Sequence, residues 1–191
     1  MGLEIERKFT VKNMPNKLED YPVRVIEQGY LSVIPAIRVR REDDHYYMTY
    51  KAGKEFCKVN AIESQEQEDI EGGIGKTEYN MPLDKDSYEH LAKKADGNVI
   101  RKKRYIIPLN PDAYDSDFAK GHPDFEEKIS QMKIELDVFG APFDGRVIAE
   151  VEFPDEDYAE KYRPAEWFLE DVTGDVRYSN AQMSKEILPD R

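Results

Sequence analysis

Ala36-Ile37-Arg38-Val39-Arg40-Arg41-Glu42, an Asp43-Asp44 corner, then His45-Tyr46-Tyr47-Met48-Thr49-Tyr50-Lys51-Ala52 is the stretch that decides the fold. Successive side chains of a strand point to opposite faces, so Arg38 and Arg40 share one face and Ile37 and Val39 the other. Across the corner, Thr49 and Lys51 alternate in the same way with Met48 and Tyr50. Both runs are rich in β-branched and aromatic residues, and the acidic corner between them reads as a hairpin turn. The unit is an antiparallel hairpin with cations on one face and apolar groups on the other.

The same pattern recurs outward along the chain, at 2–11, 23–33, 77–82, 98–108, 131–139 and 146–153. Glu4, Glu6 and Lys8 form one set. Glu78 and Asn80 oppose Tyr79 and Met81, and Lys102 shares a face with Arg104. Glu135 and Asp137 alternate with Ile134, Leu136 and Val138, and Glu150 and Glu152 with Val151 and Phe153. Gly140-Ala141-Pro142-Phe143-Asp144-Gly145 reads as a second turn. Residues 84–95 form the clearest helix, with Asp84 or Asp86 as cap and Tyr88, Leu91, Ala92 and Ala95 at helical spacing. A second helix is expected within 155–170. About eight strands with few helices predict a mainly β (α+β) chain, an antiparallel sheet rolled into a barrel or a sandwich.

On a single strand, alternating charge is the ordinary mark of a solvated face. Seven strands weigh differently, because their charges are largely Glu, Asp, Arg and Lys segregated by strand. If the sheet closes with this face inward, carboxylates and cations line one water-filled lumen while the apolar face packs outward. Glu4, Glu6, Glu78, Glu135, Asp137, Glu150 and Glu152 are hard oxygen donors suited to Mg²⁺ or Mn²⁺. Lys8, Arg38, Arg40, Lys51, Lys102 and Arg104 are donors suited to phosphate oxygens. Charges buried at this density need partners, and a metal-bound polyphosphate supplies them.

The composition sets the limits. The chain has 191 residues with 28 Lys and Arg against 40 Asp and Glu, a net charge of -12. That length fits one domain spanning 1–191, and 12 Tyr and 8 Phe give it core-forming surface that a disordered chain lacks. The acidity is uneven. Stretches 53–76, 110–130 and 155–175 hold 20 acids and 7 bases, so the remainder is nearly neutral with 20 and 21. The first two read as acidic insertions. An acidic periphery disfavours long nucleic acid, whose phosphates need a basic surface. Cys57 is the only cysteine, which excludes an internal disulfide and a cysteine-based zinc site. With no apolar signal core and no run long enough for a membrane span, a cytoplasmic protein is expected.

These residues carry a resemblance. Glu4-x-Glu6-x-Lys8 matches the ExExK motif of the CYTH, or triphosphate tunnel metalloenzyme, superfamily. It is followed in order by Gln28-x-Tyr30-Leu31, Arg38-x-Arg40, Thr49-x-Lys51, Lys102-x-Arg104-Tyr105, Glu135-x-Asp137 and Glu150-x-Glu152-Phe153. Asp171-Val172-Thr173-Gly174-Asp175, with Arg177-Tyr178-Ser179-Asn180, resembles the family's C-terminal signature. The resemblance implies an eight-stranded antiparallel tunnel with flanking helices that binds a triphosphate together with Mg²⁺ or Mn²⁺. It implies that Glu4, Glu6 and Glu152 hold the metal, with Glu150 beside them, and that Lys8, Arg38, Arg40, Lys51, Lys102 and Arg104 grip the phosphates. Two features depart from the family pattern. Asn80 stands where a second acid often follows the residue matching Glu78, and the stretches 53–76 and 110–130 are long.

The leading expectation is hydrolysis of a terminal phosphoanhydride in tripolyphosphate, thiamine triphosphate or a nucleoside triphosphate. Glu78 or Asp137 would position the attacking water, next to Glu150. The alternatives are cyclisation of ATP to cyclic AMP and a non-catalytic polyphosphate-binding module. A homodimer is compatible with either class, and no membrane partner is expected. Other signals are weaker. Gly72-Gly73-Ile74-Gly75-Lys76-Thr77 ends like a P-loop but has Ile70 at the first glycine position and a strand after it. His45, His90 and His122 have no metal-ligand spacing. Trp167 with Phe168 reads as a core anchor, and Arg101-Lys102-Lys103-Arg104 as a strand divided between two faces.

Overall fold

A computed structural model describes residues 5–53 and 76–188. Glu4, Cys57 and nearly all of the acidic stretch 53–76 lie outside the described residues. The ends of that stretch, Gly53 and Lys76, are the last pair of a strand ladder.

Nine strands form one antiparallel sheet. They are β1 (Ile5–Val11), β2 (Val23–Val33), β3 (Ala36–Glu42), β4 (His45–Gly53), β5 (Lys76–Leu83), β6 (Asp96–Pro108), β7 (Lys133–Phe139), β8 (Val147–Phe153) and β9 (Phe168–Asp171). Their order across the sheet is β5-β4-β3-β2-β6-β7-β8-β1-β9. Eight of them fall where the alternation predicts strands. The ninth, β9, pairs with β1 through Phe9 and Val11. A helix is expected within 155–170, and α4 (Glu156–Lys161) occupies only the first part of that range before the chain returns as this short edge strand.

Among the described residues no ladder joins β5 to β9, so the sheet is curled without a hydrogen-bonded seam. Its curl is evident because β1 and β8, near one edge, and β3, β4 and β5, at the other, line one cavity. The register puts the charged positions of neighbouring strands opposite one another. Glu6 faces Glu152, Lys8 faces Glu150, Glu135 faces Glu150 and Arg104 faces Asp137.

The main core lies on the outer face. Phe9, Ile134, Leu136, Ala149, Val151 and Phe153 pack there against Tyr158, Tyr162 and Phe168. Two short helices, α2 (Ser116–Gly121) and α3 (Phe125–Gln131), fall in the stretch 110–130, and Phe118, Phe125 and Ile129 lean on this core. The acidic stretch is thus an amphipathic cover whose charges point to water. Trp167 packs at the edge of the same cluster, 4.5 Å from the Phe168 ring centre. On the opposite side, α1 (Lys85–Ala92) is capped by Asp84, which accepts from the Ser87 amide at 2.7 Å. Its buried Tyr88 meets Tyr46.

The polar face turns apolar at one end. Phe139 and Ile148 continue the parity of Asp137 and Glu150, and with Ile100 they bury Phe143 and Met183. Met183 belongs to α5 (Asn180–Ser184), which the chain pins across this end. Asn98 donates to the carbonyls of Met183 and Glu186. Gly97, at φ 70, lets the backbone come so close to Ser184 that a Cβ would sit 2.1 Å from its carbonyl oxygen. Among the described residues, no helix is long and apolar enough to cross a membrane.

Candidate active site

The inner face encloses a cavity of about 430 Å³. One wall comes from β1 and β8, with Glu6, Lys8, Glu150 and Glu152. The facing wall comes from β3, β4 and β5, with Arg38, Arg40, Thr49, Lys51 and Glu78, while β6 contributes Arg104. A third side is the C-terminal segment, through Gly174, Asp175, Val176, Ser179, Asn180 and Ala181. The structure therefore brings together eight of the residues that the alternation singles out for the site, besides Arg104.

Lys8 and Arg104 neutralise the first wall. Lys8 donates to Glu150 Oε1 at 2.6 Å and lies 3.2 Å from Glu6. Burial favours a neutral Lys8, yet Glu150 and Glu6 outweigh it and raise its pKa. Arg104 spans three carboxylates. It meets Asp137 through Nε and Nη2, both at 2.7 Å, Glu150 through Nη2 at 2.8 Å, and Glu135 through Nη1. Burial works to raise the Glu150 carboxyl, but Lys8, Arg104 and Lys102 hold it well below the usual range, so it is ionised at neutral pH. For Glu135 burial wins over Arg104, and its pKa is raised.

Two expected site residues sit deeper than the cavity. Lys102 and Asp137 have fully buried side chains 2.5 Å apart, and neither lines the cavity. Parity gives each residue its face but not its depth, and the Phe139 ring 5.5 Å from Lys102 Nζ belongs to the apolar end. Burial, then Arg104, push the Lys102 ammonium down to about 8. In this structure Lys102 and Asp137 underlie Arg104. Glu135 likewise stands aside, bordering a neighbouring opening with Glu152.

The second wall is held by Glu78. Its Oε2 is 3.4 Å from Lys51, and its Oε1 is 3.8 Å from Arg38 and accepts from Asn80 Nδ2 at 3.1 Å. Burial alone would raise this carboxyl, but Arg38, Lys51 and Asn80 together lower it. Asn80 in turn accepts from the buried Thr49 hydroxyl at 2.6 Å. Arg38 Nε is buried without a hydrogen-bond partner among the described residues, a donor suited to a ligand oxygen.

Three contributors escape a reading based on charge. Gln28 and Tyr47 both hold Arg40, and Asn180 places a buried, unpartnered Oδ1 on the cavity wall. Gln28 and Asn180 lie within motifs that carry the family resemblance, and Tyr47 shares the parity of Thr49 and Lys51.

Glu6 and Glu152 are direct cross-strand partners, where two like charges repel unless a cation lies between or beside them. Among the described residues no three acidic, histidine or cysteine side chains gather into a complete metal site. Mg²⁺ does not need one, because it commonly takes one or two carboxylates and fills its remaining positions with water and substrate phosphate. The donor set fits such an ion. Glu4, two residues before Glu6, lies outside the described residues.

The chain has close relatives. An inorganic triphosphatase of Nitrosomonas europaea is 31% identical over 188 residues, covering 96% of this chain and 98% of the relative. An inorganic triphosphatase of Acetivibrio thermocellus is 28% identical over 191 residues, covering 97% and 95%. The crystal structure of the inorganic triphosphatase NE1496 matches with a TM-score of 0.61 at 28% identity, over 98% of this chain and 97% of that one. No family model matches the chain. Near-full-length identity and a shared architecture agree with the charged, curled sheet: the chain belongs to the triphosphate tunnel metalloenzyme (CYTH) superfamily, alongside these inorganic triphosphatases.

Proposed function

We propose that the chain is a triphosphatase that uses Mg²⁺ or Mn²⁺ to hydrolyse the terminal phosphoanhydride of inorganic tripolyphosphate. The observation that carries this reading is the convergence of Lys8, Arg38, Arg40, Lys51 and Arg104 on one cavity that also holds the Glu6–Glu152 pair. Cations from two facing walls can reach several oxygens of one linear polyanion.

In this reading Glu6 and Glu152, with Glu4, hold the metal. A bound divalent ion supplies charge neutralisation at phosphate oxygens and an acidified water. Arg38, Arg40 and Lys51 grip one end of the polyphosphate, and Lys8 and Arg104 the other. Water attacks the terminal phosphorus, the bridging P–O bond breaks, and the electron pair leaves on pyrophosphate. The guanidinium and ammonium groups stabilise the charge spread over the transferred phosphoryl oxygens. Glu78, held ionised and weakly basic by Arg38, Lys51 and Asn80, orients the water more than it deprotonates it. Glu150 is the counter-ion of Lys8 and Arg104. Lys102 and Asp137 brace Arg104 from beneath.

The test is to incubate the protein with tripolyphosphate, thiamine triphosphate and ATP, each with Mg²⁺, Mn²⁺ or chelator, and identify the products. Phosphate and pyrophosphate from tripolyphosphate, lost with chelator, are expected. Cyclic AMP from ATP, or binding of all three without turnover, would overturn the reading.

A further inference from the structure

Arg40 and Arg104 line the same cavity but are held in opposite ways. Arg104 spends its donors on the carboxylates of Glu135, Asp137 and Glu150. Arg40 is held by uncharged acceptors. Its Nε donates to Gln28 Oε1 at 2.9 Å and its Nη1 to the Tyr47 hydroxyl at 3.1 Å. Gln28 and Tyr47 are its direct ladder partners on either side, so the sheet itself sets this grip.

The hydrogen-bond roles are forced. Arg40 has only donors, so the Gln28 oxygen must face it and Nε2 must point away. That Nε2 is buried and has no partner, in a residue with no exposed surface. An unpaired buried donor works against the fold, and an apolar side chain of similar length would suit the position better on stability grounds alone. Tyr47 donates its own proton to Glu42 Oε2 at 2.9 Å, and Glu42 is fixed by Arg24 at 2.8 Å. The Tyr47 oxygen is thereby left as an acceptor for Arg40.

We infer that Gln28 and Tyr47 are positioning residues, which fix Arg40 through neutral contacts so that its charge stays uncompensated for a phosphate oxygen. This rests on the triphosphate reading of the cavity. Arg40 then meets the substrate already oriented, without first breaking an ion pair.

The experiment is a double-mutant cycle on the full chain, combining Gln28→Met and Tyr47→Phe with Arg40→Ala. The readouts are kcat and KM for tripolyphosphate with Mg²⁺, the thermal midpoint, and hydrogen exchange of the Arg40 Nε–H followed by NMR. Each single variant is expected to lower kcat/KM about fivefold to tenfold, as loss of one such hydrogen bond would. The Gln28→Met midpoint should not fall, its Arg40 Nε–H should exchange faster, and in the Arg40→Ala background neither change should cost anything further. Equal losses with and without Arg40, or unchanged kcat/KM in a folded Gln28→Met, would overturn the inference. Tyr47→Phe carries the test if Gln28→Met does not fold. Should the wild type hydrolyse no triphosphate, the functional reading fails separately. Arg40 Nε–H exchange that is the same in wild type and Gln28→Met would then overturn the positioning role itself.

Discussion

Lys8 Nζ lies 2.6 Å from Glu150 Oε1, and the two are direct partners in the β1–β8 ladder. Each shifts the other's titration toward the charged form, against a burial that favours neutrality. The site is thus electrostatically set before a ligand arrives. Glu150 stabilises cations here, and its lowered pKa makes it a poor proton acceptor.

The pair has a defined pH window. Glu150 has a lower pKa folded than its ordinary 4.5, so the stability it contributes is complete above that value and is lost as pH falls through the folded one. Lys8 is raised above its ordinary 10.5, so its contribution is complete below that value and is lost only as pH rises through the folded one. Glu150→Gln should destabilise the protein at pH 7 by about 3 kcal/mol, because Lys8 keeps its charge with one partner fewer. Denaturant melts should show that deficit shrinking below pH 4. A constant deficit from pH 7 to pH 3 would contradict the assignment.

Arg104 gathers Glu135, Asp137 and Glu150 with a planar fork that lysine cannot copy. Arg104→Lys should leave the fully buried Asp137 with fewer donors and cost about 2 kcal/mol in a denaturant melt. It should also lower kcat/KM for tripolyphosphate about a hundredfold, the scale of one lost transition-state donor. Wild-type kinetics in this variant would show that Arg104 only neutralises the wall.

Much of this was legible because charge parity survives folding. The alternations at Glu6–Lys8, Arg38–Arg40 and Glu150–Glu152 place those residues on the cavity face where the structure has them. Arg101-Lys102-Lys103-Arg104 is divided as a strand must be, with Lys102 and Arg104 inward and Arg101 outward on Glu27. Depth was not legible. Whether an inward residue reaches the cavity or lies beneath it depends on the sheet's curl and on Phe139, Ile148 and Met183, which are distant in sequence. Hence Lys102 and Asp137 lie lower than expected. Gln28 and Tyr47 carry no charge and left no trace in a charge pattern. The four residues of β9 are too few for alternation, and their strand exists because β1 offers an edge.

Glu6 and Glu152 face each other across β1 and β8, so removing one charge relieves repulsion in the metal-free protein while taking a ligand from the ion. Glu6→Gln and Glu152→Gln should each keep the wild-type fold by circular dichroism and lose turnover. Calorimetric titration with Mn²⁺ in the presence of tripolyphosphate should show at least tenfold weaker metal binding, within the range expected for a lost contact to the ion. Unchanged Mn²⁺ affinity in both variants would remove these residues from the metal site.

Asn80 offers the sharpest comparison with the superfamily pattern. Its Nδ2 donates to Glu78 and its Oδ1 accepts from Thr49, so the amide both supports the Glu78 charge and is itself fixed. In Asn80→Asp the Thr49 bond can persist, but the donor to Glu78 becomes a second carboxylate. Two effects remove the lowering of the Glu78 pKa, the lost hydrogen bond and like-charge repulsion, so Glu78 should titrate at higher pH. If Glu78 must be ionised to orient the water, the acidic limb of the kcat/KM profile moves to higher pH in the variant. The added carboxylate should also lower the Mg²⁺ concentration needed for half-maximal rate, because oxygen donors near the phosphate grip favour a cation. An acidic limb that stays in place would show that Glu78 does not govern the rate. A limb that moves without a change in Mg²⁺ demand would confine the Asn80 position to water orientation.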